Sequence, residues 1–326
     1  GYIKISRFAK NTYQEFMTGV NKLKKERPGL KKLVLDLRGN GGGYLTSAIQ
    51  ISEEFLSKDK LVVYTQGKSQ PTRKYFSSKN GSLRSLQLDI LMNESSASAS
   101  EILAGAIQDN DRGNIIGRRS FGKGLVQEQM DLPDKSAVRL TVARYYTPTG
   151  RSIQKPYGNG VDYAGDFAHR METGELVYAD SVKVIDSLKF KTPGGKTVYG
   201  GGGIVPDFFV PIDSTDFSLL LGSLVYSGEI NQFAFDYVDG NREQLAKYKS
   251  AIEFAKNFTV DDKMYKRLIS KAISSEKAAY KFITPTETAA IKLRLKALIA
   301  RNLWGQQGYY TILLPTDPMI KKSIKR

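Results

Sequence analysis

Apolar and polar positions alternate at the start of the chain, where Tyr2, Ile3, Lys4, Ile5 and Ser6 read as a strand. The spacing then becomes helical. Phe16, Val20 and Leu23 mark one face, Thr12 and Glu15 open the helix, and Pro28-Gly29 closes it. Leu33 to Leu37 form a compact run around Asp36, the pattern of a buried strand, closed by the glycine-rich RGNGGG at 38–43. A second helix follows over YLTSAIQISEEFL and a strand over 61–66. Residues 69–82 are polar and turn-rich, with a hairpin signal at Asn80-Gly81. The strand DILM ends at Met92 and turns through Asn93-Glu94-Ser95-Ser96. It leads into a helix with Ile102, Leu103, Ala106 and Ile107 on one face. Strands are predicted at 114–118 and 136–147, the first leading to a lysine flanked by glycines. Strand and helix in alternation argue an α/β core. Residues 148–203, rich in Gly, Pro and Tyr, read as irregular.

A break falls near Asp213-Ser214-Thr215, and the pattern beyond it is helical with few glycines. The last long helix opens at Thr284 or Thr286. It buries Leu293, Ala297, Ala300 and Leu303, and ends at Trp304-Gly305. The predicted division is a core over 1–213 and a helical C-terminal domain over 214–326.

Composition narrows the chemistry. A chain of 326 residues with 40% hydrophobic content can bury a sizeable core. No apolar run is long enough to span a membrane. With no cysteine, disulfides, thiolate catalysis and Cys metal sites are excluded. With one histidine, His169, a histidine-based triad or a multi-histidine metal site has little to stand on, and neither metal nor cofactor is expected. The net charge of +16 raises nucleic-acid binding, but the basic residues are scattered and no recognition motif accompanies them. No nucleic-acid partner is expected.

The stretch around Ser98 carries the sharpest chemical signal. Strand, sharp turn and helix lift a side chain to the end of a sheet and aim helical N–H groups at it. Ser96, Ala97, Ser98, Ala99 and Ser100 are small enough to let a peptide approach. Ser98 is the candidate nucleophile. The plainer reading is a helix cap, because Ser98 and Glu101 have capping-box spacing. A serine without histidine needs another base. Lys123, in FGKG, is the candidate, if desolvation or a nearby cation keeps its amine uncharged. Gln127 can orient that amine, or be an ordinary strand residue. The Ala99 N–H and an amide of the glycine turn can hold an oxyanion. The same turn can bind a phosphate, although it matches neither nucleotide-loop pattern.

LVLDLRGNGGG, NESSASASEILAGAIQDN, FGKGLVQ, VARYYTPTGRSIQ and YGGGGIVPD occur in the order found in the C-terminal processing, or tail-specific, peptidases. The resemblance covers about residues 1–212. It implies a mixed-sheet α/β serine peptidase core using a serine/lysine dyad, with Ser98 as nucleophile, Lys123 as general base and Gln127 orienting the lysine. It also implies Ala99 as one oxyanion donor, with Gly42 as the other and Gly43 the alternative. Where the family usually has N-N-P-G-G, this chain has G-N-G-G-G. The family usually carries a PDZ domain that reads substrate tails by strand addition. None is read here, so the chain is taken as part of a longer protein. The region after Ser214 resembles the tail of exported processing peptidases of Bacteroidetes-like bacteria.

The resemblance implies an endopeptidase acting on proteins with exposed C-termini, in the periplasm or cell envelope, with oligomerisation left open. Two alternatives stand beside it. One is an impaired fragment or non-catalytic scaffold of the same fold, and the other an anion-binding module built on RGNGGG.

Overall fold

The computed structural model describes residues 1–158, 161–213, 218–275 (271–275 as backbone only) and 283–326. The chain divides into two compact units, Gly1–Pro211 with Arg326, and Ile212–Lys325. The break expected at Ser214 and Thr215 lies outside the described residues.

The first unit begins with β1 (Tyr2–Lys4), α1 (Thr12–Glu26), β2 (Lys32–Asp36), α2 (Leu45–Phe55), β3 (Leu61–Gln66) and β4 (Arg73–Phe76). It continues with β5 (Gln87–Met92), α3 (Ala99–Asp109), β6 (Asn114–Gly117), β7 (Leu125–Asp131) and β8 (Ala137–Tyr146). After α4 (Asp166–Glu172) come β9 (Lys189–Lys191), β10 (Thr197–Tyr199) and β11 (Phe208–Phe209). A five-stranded parallel sheet runs in the order β1-β2-β5-β6-β11, and an antiparallel sheet runs β4-β3-β8-β7. The mixed α/β core expected from the alternating pattern is present.

The parallel sheet is central because its strands bury both faces. Leu33, Leu35, Ile90, Leu91, Ile115 and Ile116 are fully buried. Each such side chain contributes about 1.5–3 kcal/mol relative to exposure. All of α3 is buried, which explains its run of small residues. β2, β5 and β6 are adjacent and parallel, with Leu35 opposite Ile90 and Ile90 opposite Ile115. Their C-terminal ends therefore release three loops at one edge of the sheet. This edge is where open α/β sheets place their ligands.

Two elements differ from expectation. Asn80-Gly81 does not form a hairpin turn. β3 pairs with β4, so the chain reverses earlier, within 67–72. Gly81 is needed for close approach instead, since a Cβ there would meet the Glu53 and Glu54 carbonyl oxygens at 2.2 Å. The irregular stretch 148–203 contains α4 and the β9–β10 hairpin, held by buried charges. Arg151 is fully buried, 2.7 Å from both Asp109 and Gln108 and 2.8 Å from the Tyr199 carbonyl.

The second unit is helical. It comprises α5 (Leu219–Tyr226), α6 (Glu229–Gly240), α7 (Arg242–Leu245), α8 (Ala251–Asn257), α9 (Asp262–Ser275), α10 (Pro285–Leu313) and α11 (Pro318–Ile324). Its core gathers Phe254, Leu268, Ile291, Leu295 and Ile299. α10 opens at Thr284, whose side chain caps Glu287 N–H at 3.2 Å. Ala297 and Ala300 are buried and Leu293 and Leu303 pack against the core. The expected stop at Trp304-Gly305 is a break in the helix rather than its end. Those residues leave helical geometry and the helix resumes to Leu313. Among the described residues no helix is long and apolar enough to cross a membrane.

Asp109→Ala would leave the Arg151 guanidinium buried without its counter-charge. The expected cost is about 3–5 kcal/mol, read from amide exchange of β5 under native conditions. Unchanged protection there would refute the assignment.

Candidate active site

The loop after β2 is pinned first. Asn40 is fully buried; its Nδ2 donates to the Ile5 carbonyl at 2.8 Å and its Oδ1 accepts from Gly42 N–H at 2.9 Å. The Asn40 carbonyl accepts from Ala97 N–H at 3.0 Å and Ser100 Oγ at 2.9 Å. One asparagine thus joins the glycine turn to the serine turn. The approach requires glycine at position 42, which has φ +100°. A Cβ there would lie 2.7 Å from Ser98 Cβ and 2.9 Å from Ala99 N. Gly42 N–H is committed to Asn40, whereas the amides of Gly43 and Ala99 have no protein acceptor among the described residues.

The loop after β5 places Ser98 at φ 56°, ψ −115°, a conformation that costs a non-glycine residue about 1–3 kcal/mol. Neighbouring bonds impose it. Ser98 N–H donates to Glu101 Oε2 at 2.8 Å, and the Ser98 carbonyl accepts from the Glu101 and Ile102 amides at 2.8 and 3.0 Å. The capping geometry suggested by the sequence is therefore real, and it coexists with a strained turn of the kind that presents nucleophiles.

The loop after β6 carries Lys123, and the same Glu101 holds it. Glu101 is fully buried, and its carboxylate accepts from Gly122 N–H at 2.7 Å, Lys123 N–H at 2.9 Å and Ser120 Oγ. Burial pushes its pKa above the usual carboxylate range, outweighing the downward pull of these donors. Tyr145, from β8, is buried too. Its hydroxyl lies 3.1 Å from the Ser98 carbonyl and 2.5 Å from the Lys123 carbonyl. Burial, then the nearby Glu101 charge, pushes that phenol well above its ordinary pKa, so it stays protonated and donates.

A cavity of about 490 Å³ lies above these loops, lined by Ser98, Ala99, Gly41, Gly43, Lys123 and Gln127 with Phe8, Leu45, Ile102, Val126 and Tyr145. Gly42 stands directly behind Ser98. All the residues singled out from the sequence therefore meet at one place. No hydrogen bond joins Ser98 Oγ to Lys123 Nζ, or Gln127 to Lys123, among the described residues. Glu101 beyond its capping role, Asn40 and Tyr145 were not singled out. The signal for Glu101 was its place in S-x-x-E; Tyr145 sat unremarked in VARYYT. No group of acidic or histidine side chains suited to a metal occurs among the described residues.

Comparison with known proteins shows the family. The model of peptidase family S41 matches residues 1–163, and a family of unknown function matches 220–305. A carboxy-terminal-processing protease of Bartonella bacilliformis is 43% identical over 157 residues, covering 47% of this chain and 36% of that protein. The carboxyl-terminal-processing protease of Picosynechococcus is 41% identical over 155 residues, covering 48% and 36%. Among solved structures, a photosystem II D1 C-terminal processing protease aligns at 30% identity with TM-score 0.46, covering 65% of this chain and 42% of that one. The alignments thus cover about a third of the length of these curated relatives. The chain belongs to peptidase family S41.

Glu101→Gln would set two N–H donors among groups that themselves donate. Gly122 and Lys123 donate to different oxygens of Glu101, so amide exchange at whichever of them faces the new NH2 should accelerate at least about tenfold, since an unmet buried bond costs about 1–3 kcal/mol. Exchange at the wild-type rate would remove Glu101 from its organising role.

Proposed function

We propose that the first unit is a serine peptidase core that cleaves proteins near their C-termini through a Ser98/Lys123 dyad and an acyl-enzyme. The observation that carries this is the single cavity shared by Ser98, Lys123 and two unpaired amides. Lys123, uncharged, accepts the Ser98 proton as Oγ attacks the scissile carbonyl carbon. The developing oxyanion is held by the Ala99 and Gly43 amides. Gly43 replaces Gly42 in this role because the Gly42 amide already serves Asn40. Lys123 then gives its proton to the leaving amine, and a water, deprotonated by the same lysine, hydrolyses the ester. Gln127, on the cavity wall, orients the lysine once substrate draws the groups together, since such bonds tighten on binding. The C-terminal preference draws on the relatives, which are carboxy-terminal-processing proteases. A location in the cell envelope is part of the same proposal and fits a cysteine-free chain.

The missing Ser98–Lys123 hydrogen bond favours a second reading, a fold retained for binding without turnover. Labelling of Ser98 by a serine-reactive probe separates the two, because a scaffold has no reason to keep an activated hydroxyl.

Ser98→Ala and Lys123→Ala should each lower cleavage of an unstructured protein by about 10³-fold or more, and Gln127→Ala by less. Full activity in either of the first two would end the proposal.

A further inference from the structure

The charges around the cavity are unbalanced. Arg7, Lys123 and Arg139 line it, and no carboxylate does. Three buried arginines of this unit have carboxylates: Arg118 meets Glu94, Arg119 meets Glu175 and Arg151 meets Asp109, each at 2.7 Å. Arg7, between β1 and α1, has no partner for its guanidinium among the described residues. Arg139, on β8, has one neutral contact, Gln129 Oε1 at 3.3 Å.

The hairpin register explains why Arg139 faces the cleft. Gln129 pairs with Arg139 and Gln127 with Thr141, so these residues share a face, and Gln127, Gln129 and Arg139 all line the cavity. Asp131 continues that face but lies outside the lining, where it accepts from the Gln129 amide at 3.0 Å. Two guanidinium groups thus reach the cleft from different elements. A planar fork of N–H donors suits a carboxylate better than any neutral group.

We infer that the cleft selects its peptide by a carboxylate near the scissile bond, held by Arg7 and Arg139. The inference rests on the peptidase reading for the identity of the ligand. The carboxylate can be a Glu or Asp side chain or the terminal carboxylate of the substrate; the chemistry is shared.

The test measures binding, so it does not depend on turnover. Fluorescein-labelled Ala/Ser decapeptides are titrated against Ser98→Ala protein by anisotropy. One pair differs as Glu or Gln at a central position, the other as free acid or amide at the C-terminus. The inference expects about tenfold tighter binding of the charged member in one pair or both, weakening with salt. The pair that shows the preference names the source. The preference should vanish in Arg7→Gln/Arg139→Gln and survive in Lys25→Gln/Lys58→Gln, which removes equal charge outside the cleft. Equal affinities within both pairs, absence of binding, or a preference that survives the arginine double variant would overturn it. Should the preference hold while Ser98-intact protein cleaves nothing, the peptidase reading fails and the carboxylate site stands.

Discussion

One buried carboxylate organises the site. Removing Glu101 from water costs several kcal/mol, and four donors offset part of that cost: the Ser98, Gly122 and Lys123 amides and the Ser120 hydroxyl. Three of the four come from the loop of the proposed base and one from the proposed nucleophile. The carboxylate thereby sets the backbone of each loop relative to the other. Tyr145 repeats the link from the opposite chain direction, through the two carbonyls. A turn as strained as that at Ser98 persists only where its surroundings over-determine it, and these bonds supply that determination.

The fold makes such a meeting cheap. Three adjacent parallel strands end at the same edge, so residues far apart in sequence need no long excursion to meet. α3 provides the crossover from β5 to β6, and its N-terminus faces the cleft. The glycine turn then closes the third side. Its close approach to Ser98 and Ala99 excludes any Cβ at position 42, and Asn40 takes up the amide that the bend turns inward. Which glycine offers a donor is thus decided by one side-chain amide two residues away.

That detail marks what the sequence could reveal. β2 and β5 were legible because burial on both faces makes them compact apolar runs, and α3 because its apolar and small residues follow a sharp turn, the small residues around Ser98 signalling close approach. β7 was not: LVQEQMD is exposed over most of its length, so no alternation marks it. The stretch 148–203 was read as irregular because Arg151, Lys155, Arg170 and Glu175 hold it by buried charge pairs, and ion pairs have no sequence period. Trp304-Gly305 gave a true local signal, a departure from helix, but tertiary packing of Ile312 carries α10 beyond it. The sequence favoured Gly42; proposing Gly43 in its place needs hydrogen-bond bookkeeping that no motif contains.

The distribution of rigidity follows from the same contacts. Lys123 is anchored through its amide and carbonyl, and Gly124 N–H is held by Gln154 at 2.8 Å. Gln127 lies just beyond, on an edge strand that pairs only with β8 and whose register slips between Val126 and Gln127. A two-stranded arm is marginally stable by itself. The backbone of the proposed dyad is therefore held by several bonds, while Gln127, proposed to orient the lysine, sits on the less supported arm. This division is compatible with a shared cavity that lacks a Ser98–Lys123 bond, because the bonds that fix the two loops are made by their backbones and not by these side chains. The two loops of the proposed dyad are thus the firmly bonded part of the cavity wall, and the hairpin arm that carries Gln127 and Arg139 is the sparsely bonded part.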